Sequence, residues 1–260
     1  MSVPPEACPE GFAGAVDGML PAMTVRKNEL FNSLTHCAGA VASVILTLVF
    51  YFTAIDHEGS LAVAVCFTAV SYVFLFVSSS LYHATKIDED DRSLWLKLDH
   101  CAIFVMIAGS YVGPLYIYAP GGIRWAVLAS VWLCALLGVI LKLRYLIAPN
   151  WVNVAVYAPL GVISIVPMAL LWTSVDAIPP QTVPISFLKG LLVAGLAIYG
   201  VGGAVYALKR PDPKPGVIGF HGVFHVLILM GAGLHAAALY YSIRAYPVIR
   251  QFQTLASYLW

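Results

Sequence analysis

Leu61–His83 reads LAVAVCFTAVSYVFLFVSSSLYH, a stretch without one Asp, Glu, Lys or Arg and without the alternation of a strand. A helix of about 20 such residues crosses roughly 30 Å of hydrocarbon, whereas a barrel strand needs only about 10 and alternates apolar with polar. Six more runs of this kind lie at 34–54, 98–118, 124–143, 152–172, 186–208 and 219–241, each bounded by charge, Pro or Gly. The expected fold is therefore all-α, a seven-transmembrane helix bundle. Composition says the same. Of 260 residues, 60% are hydrophobic and 10% charged, and mean hydropathy is +0.85. A soluble domain carries about 25% charged residues, so a water-soluble enzyme, a nucleic-acid binder and a disordered chain are all excluded. The net charge of +1 gives no electrostatic case for a polyanionic partner.

Residues 1–25 read as a tail, 26–245 as the membrane domain and 246–260 as a second tail. The first 24 residues hold no Lys or Arg, so no basic region precedes an apolar core as in a secretory signal. KRPDPKPG at 209–216 is a linker, broken by three prolines. The fifth run contains Pro159 and Pro167, which kink a membrane helix without forbidding it. Cys8, Cys37, Cys66, Cys101 and Cys134 form no CxxC pair and read as small buried hydrophobes. With seven spans, ten Lys and Arg fall on the side of the N-terminus and four on the other. The positive-inside rule then places the N-terminus in the cytoplasm and the C-terminus outside.

Polar residues gather at particular segment ends. Ser79 and His83 close the second run, Asp99 and His100 open the third, and His221 and His225 open the seventh. Counting spans puts all of these on the cytoplasmic side. Ionisable groups at membrane depth are costly and usually face a bundle interior with partners. His221 and His225, at i and i+4, project from one helical face, a spacing suited to two ligands of one Zn²⁺. Gly222, Val223 and Phe224 lie between them, so the acid of an HExxH protease is absent and a third ligand must come from another helix. His83 is the natural choice. Three neutral imidazoles leave the metal its full charge and an open position, and such a zinc lowers the pKa of bound water to about 7. Asp99 would serve as base or bind the metal, and Ser79, one turn before His83, would polarise a substrate carbonyl. A polar interhelical network without metal would explain the same clustering.

The remaining polar residues have plainer readings. His235 lies 14 residues beyond His221, a rise of about 21 Å, too far to share a cation. It is expected to pack, to hydrogen-bond or to face a cavity. His57 and the acidic run Asp88–Asp91 read as solvated, and His100 as facing a neighbouring helix. In NELFNSLTH, Asn32 or Ser33 is expected to cap the first helix, with Glu29 near its positive end. The alternative makes this face a polar layer beneath the metal site.

NSLTH at 32–36, SSSLYH at 78–83, LDH at 98–100, AGSY at 108–111 and HGVFH at 221–225 together resemble the hemolysin III family. That family is the bacterial branch of the progestin and adiponectin receptor proteins, within a superfamily that includes alkaline ceramidases. The resemblance spans about residues 26–241. It implies a zinc site of Ser79, His83, Asp99, His221 and His225, a cytoplasmic N-terminus and, from the receptor and ceramidase branches, hydrolysis of a lipid amide. Where the family commonly has AGTYTP, this chain has Gly109, Ser110, Tyr111, Val112, Gly113 and Pro114, which alters backbone freedom in the third helix. The expected function is thus a zinc-dependent hydrolase with a membrane lipid or fatty-acyl substrate, in the bacterial inner membrane. The alternatives are a non-catalytic lipid sensor with a structural zinc and a cytolytic protein, although no detachable amphipathic segment is evident.

Overall fold

The computed structural model describes residues 10–86, 93–163, 169, 172 and 185–259, with side chains from Lys27 onward in its first helix. Among the described residues there are eight helices: α1 (Glu10–Ala54), α2 (Gly59–Thr85), α3 (Leu94–Ser110), α4 (Val112–Tyr118), α5 (Gly121–Arg144), α6 (Asn150–Ile163), α7 (Ile185–Leu208) and α8 (Phe220–Leu259). Six stretches of the described residues are long and apolar enough to cross a membrane: Lys27–Ala54, Gly59–Thr85, Leu94–Tyr118, Gly121–Arg144, Ser186–Leu208 and Phe220–Gln251. The shorter α6 corresponds to the fifth expected run, whose Pro167 falls outside the described residues. So do Cys8 and Asp88–Asp91. The other four cysteines are free thiols.

Apolar residues fill the core, with Phe50, Phe76, Phe104 and Ile243 buried, and also cover the outside, while small polar residues are held inside. Leu34, Val63 and Leu133 are 59%, 71% and 59% exposed, whereas Ser43, Thr68, Ser71, Ser78 and Ser79 are buried. Lipid tails solvate leucine as well as a protein core does, so helices associate through close packing and interhelical hydrogen bonds. Both occur here. α2 packs against α1, α3 and α4, while α8 packs against α1 and α7. A Cβ added at Gly109 on α3 would lie 2.4 Å from the Cβ of Ser71 on α2, so only glycine allows this approach.

The third run is one span but two helices, because Pro114 has no N–H for the carbonyl of Ser110 and its ring clashes there. The chain turns at Tyr111. Thr68 of α2 enters the opening: its hydroxyl donates to the Gly109 carbonyl (2.9 Å) and accepts from the Gly113 N–H (3.0 Å). These are the two groups that an unbroken helix would have paired with each other. The expected change in backbone freedom is thus a break repaired by a neighbouring helix.

Two helices are longer than the runs that encode them. α1 begins at Glu10, within the segment read as a tail, so Asn32 and Ser33 lie in mid-helix and cap nothing. α8 continues to Leu259, and Tyr246 and Ile249, also read as tail, are buried. Tyr246 belongs to a knot at this end of the bundle. The Glu58 carboxylate accepts from Tyr116 (2.6 Å), Tyr246 (2.5 Å) and Ser60 (2.5 Å). The Ser60, Tyr116 and Tyr246 hydroxyls hold the Glu58 carboxyl down at about 2. Arg124 stacks 4.4 Å over the Tyr116 ring and donates to the carbonyls of Tyr116 and Ala119. His57, next to Glu58, is exposed as expected.

Candidate metal centre

At the other end of the bundle, about 31 Å from Tyr246 along α8, one imidazole from α2 meets two from α8. The ligand atoms of His83, His221 and His225 all lie within 4.8 Å of one another. His221 Nε2 and His83 Nε2 are 3.3 Å apart. A tetrahedral zinc with Zn–N bonds of about 2.0–2.1 Å separates its ligand nitrogens by about 3.3–3.4 Å. The donor set and its spacing therefore fit such an ion.

Sequence spacing explains only the α8 half. α8 starts where Asp212, from the proline-rich linker, accepts the Phe220 N–H (3.1 Å), and His221 and His225 follow one turn apart. Gly222 between them lets α8 lie against α1, since a Cβ there would sit 2.8 Å from the Phe31 ring.

α1 supplies no ligand to this group but orients two of its members. His83 Nδ1 is hydrogen-bonded to the Glu29 carboxylate, whose other oxygen accepts from Lys86 Nζ (2.8 Å). His225 Nδ1 donates to the Asn32 carbonyl (3.3 Å). In each ring the bonded Nδ1 carries the proton and leaves Nε2 with its lone pair, the arrangement of metal-bound histidines. Ser33 of α1 and Ser80 of α2 exchange hydroxyl-to-carbonyl hydrogen bonds of 3.0 and 3.1 Å, which lock the two helices in register. His36 completes the stripe. Its ring lies parallel to that of His225, with centroids 3.7 Å and planes 7° apart. The capping role expected of Asn32 and Ser33 is overturned, and the alternative reading of this face fits what is seen. Its signal was available in the sequence: Glu29, Asn32 and His36 lie three and four residues apart, on one helical face.

His221 and His225 line a cavity of about 470 Å³ between α1, α2, α3, α6, α7 and α8. Ser79 and Asp99 lie on its wall close to the histidines. Both are buried. The Ser79 hydroxyl is beside the Asp99 carboxylate. Asp99 is not part of the three-histidine group. His100 lines the same cavity, rather than only facing a neighbour as expected, and its Nδ1 is unpaired. His235 lies towards the far part, where its Nε2 contacts the Leu192 carbonyl at 3.4 Å and its ring meets Tyr199 edge-on. Lys142, counted in the sequence as a loop charge, is buried, donating to the Leu146 carbonyl (2.8 Å) and to Asn153 (2.7 Å). Most of the cavity wall is apolar, with Leu75, Ile103, Met106, Ile107, Leu196 and Ile228.

The fold and site define a class, polytopic helical membrane proteins with a buried three-histidine cluster at one end of the bundle. Residues 24–236 match the family described as Haemolysin-III related, and the chain belongs to that family. It is 29% identical over 214 residues to Hemolysin-3 of Bacillus cereus, covering 80% of this chain and 88% of that protein. It is also 29% identical over 226 residues to the Hemolysin-3 homolog of Bacillus subtilis, covering 84% of this chain and 96% of the relative.

Proposed function

We propose that this protein is a zinc-dependent hydrolase of an amide or ester bond in a membrane lipid. The observation that carries the reading is the three-imidazole group, with His83 held by Glu29 and His225 by Asn32, and with His221 and His225 lining an apolar cavity that has a buried carboxylate and hydroxyl on its wall. His83, His221 and His225 would hold the ion. When bound there, zinc supplies a Lewis acid that polarises the substrate carbonyl and makes a water more acidic. Asp99 takes the proton of the attacking water and returns it to the leaving amine or alcohol. The Ser79 hydroxyl, on the cavity wall beside Asp99, donates to the carbonyl oxygen as negative charge develops on it. The wall from Leu75 to Ile228 holds the acyl chain and keeps bulk water out.

The excess of Lys and Arg near this end of the bundle supports a cytoplasmic site and N-terminus and a C-terminus outside, and the Bacillus relatives support residence in a bacterial inner membrane. The test is direct. Asp99→Asn is expected to keep one zinc per chain and to abolish release of fatty acid from lipid amides and esters. Parent protein that binds zinc but never releases fatty acid would refute the hydrolase. A second reading, a lipid sensor in which the ion only braces helices, draws on the cluster's joining α2 to α8 with α1 behind both. It predicts that parent and Asp99→Asn are alike in every lipid assay. The name hemolysin, carried by the relatives, suggests lysis of cells as a further outcome to score in the same preparations.

A further inference from the structure

We infer that the cavity takes an acyl chain with a hydroxyl group at its far end, accepted by His235 Nδ1, an inference that deepens the acyl-hydrolase reading above and rests on it. His235 is only partly buried and lines the cavity. Its Nε2 donates to the Leu192 carbonyl (3.4 Å), which fixes the proton of the neutral ring on Nε2 and leaves a lone pair on Nδ1. A Cβ added at Gly195 of α7 would lie 2.3 Å from His235 Cδ2 and 2.6 Å from Nε2. That edge of the ring therefore presses on α7, and Nδ1, on the opposite edge, points away from it. Among the described residues Nδ1 has no hydrogen-bond partner, and it is not enclosed as the Tyr199 hydroxyl is.

The surroundings decide what can meet this lone pair. The neighbouring hydroxyls on the cavity wall have no hydrogen to give: Ser110 donates to the Ile107 carbonyl (2.7 Å) and Tyr111 to the Leu160 carbonyl, while those of Tyr157 and Tyr199 are enclosed. A group that pairs with Nδ1 must bring its own hydrogen. A hydroxyl does so without carrying a charge into an apolar wall, which an ammonium group would do at much greater cost. Length agrees with this assignment. His221 and His235 are 14 residues apart, about 21 Å along α8. An extended sixteen-carbon chain, with C–C bonds of about 1.5 Å, is about 19 Å long. With its carboxyl at the three histidines, such a chain ends beside His235. His235 is thus a specificity residue for the tail of the substrate, far from the bond to be cleaved.

The experiment measures equilibrium binding of radiolabelled ω-hydroxyhexadecanoate and ω-methoxyhexadecanoate to the full-length, zinc-loaded protein in nanodiscs, above uptake by empty nanodiscs. The methyl ether keeps the oxygen and lacks the donor. Parent, His235→Phe and His235→Gln are compared by the ratio of the two affinities, in which partition into lipid and any general loss of binding cancel. The parent is expected to prefer the hydroxyl chain about fivefold, the worth of one hydrogen bond. His235→Phe keeps an aromatic ring beside Tyr199 and is expected to lose the preference while retaining one zinc per chain. His235→Gln can donate to Leu192 and still accept, and is expected to keep most of it. The inference is overturned if the parent binds the two chains alike or binds neither, if His235→Phe keeps the parent's preference, or if His235→Gln loses it as fully as His235→Phe does. Failure of the hydrolase reading looks different: the zinc-loaded parent releases no fatty acid from lipid amides or esters, yet the preference for the hydroxyl persists and still depends on residue 235.

Discussion

Replacing Glu29 by Gln isolates what α1 contributes to the three-histidine group. The carboxylate bonds the His83 ring through one oxygen and Lys86 through the other, with 11% of its side chain exposed. Gln has the same shape, but its single carbonyl oxygen is a neutral acceptor and its NH₂ opposes either His83 Nδ1–H or Lys86. A hydrogen bond to a charged group is worth about 1.5–3 kcal/mol and a neutral one about 0.5–1.5. The loss at His83 is therefore about 1–1.5 kcal/mol, close to tenfold in zinc affinity. That lies at the lower edge of the roughly 10–100-fold range for groups that orient metal-bound histidines. At free zinc 100 times the parent Kd, binding stabilises the parent by about 2.7 kcal/mol and a tenfold weaker variant by about 1.4. Chelator competition should report the tenfold weakening. Thermal unfolding with and without zinc should show the variant's zinc-dependent gain cut to about half. Zinc affinity in Glu29→Gln within threefold of the parent would refute an orienting role for this carboxylate.

Two further predictions concern other parts of the bundle. Thr68→Val removes the hydroxyl that pairs both the Gly109 carbonyl and the Gly113 N–H. With the buried Gly113 N–H left unpaired, it is expected to cost about 1–3 kcal/mol; thermal unfolding in detergent within 0.5 kcal/mol of the parent would show that the helix break closes without it. Glu58, held at about 2 in the fold against an ordinary value of 4.5, contributes stability that is fully present above pH 4.5 and is lost as pH falls towards 2. The difference in melting temperature between parent and Glu58→Gln should therefore shrink across that window, and a pH-independent difference would contradict the assignment.

The legible part of the site was its own spacing. HGVFH placed His221 and His225 on one face, and counting spans delivered His83 and Asp99 to the same end. The illegible part depended on which faces meet. Glu29 looked like a charge at a helix start because the apolar run begins after it, and only the α1–α2 register, fixed by Ser33 and Ser80, brings it to His83. Lys142 counted as a loop charge because its long stem folds back onto Asn153 in a way no one-dimensional pattern records. Glu58 sits with Asp56 and His57 in what reads as a polar loop, and its three hydroxyl partners come from Ser60, Tyr116 and Tyr246.

The sequence by itself determined that the chain lives in lipid, where the apolar centres of its spans lie, and which residues are too polar to face hydrocarbon. Those properties follow from hydropathy, which adds up residue by residue along a single helix. Tertiary structure alone decided that α1 orients a cluster to which it gives no ligand, that Thr68 bridges the break before Pro114, and that Asp99, Ser79 and His36 share one cavity wall. Each of these joins residues from different helices, and in a membrane the rotation of one helix against another is set by packing and hydrogen bonding between surfaces rather than by either helix alone.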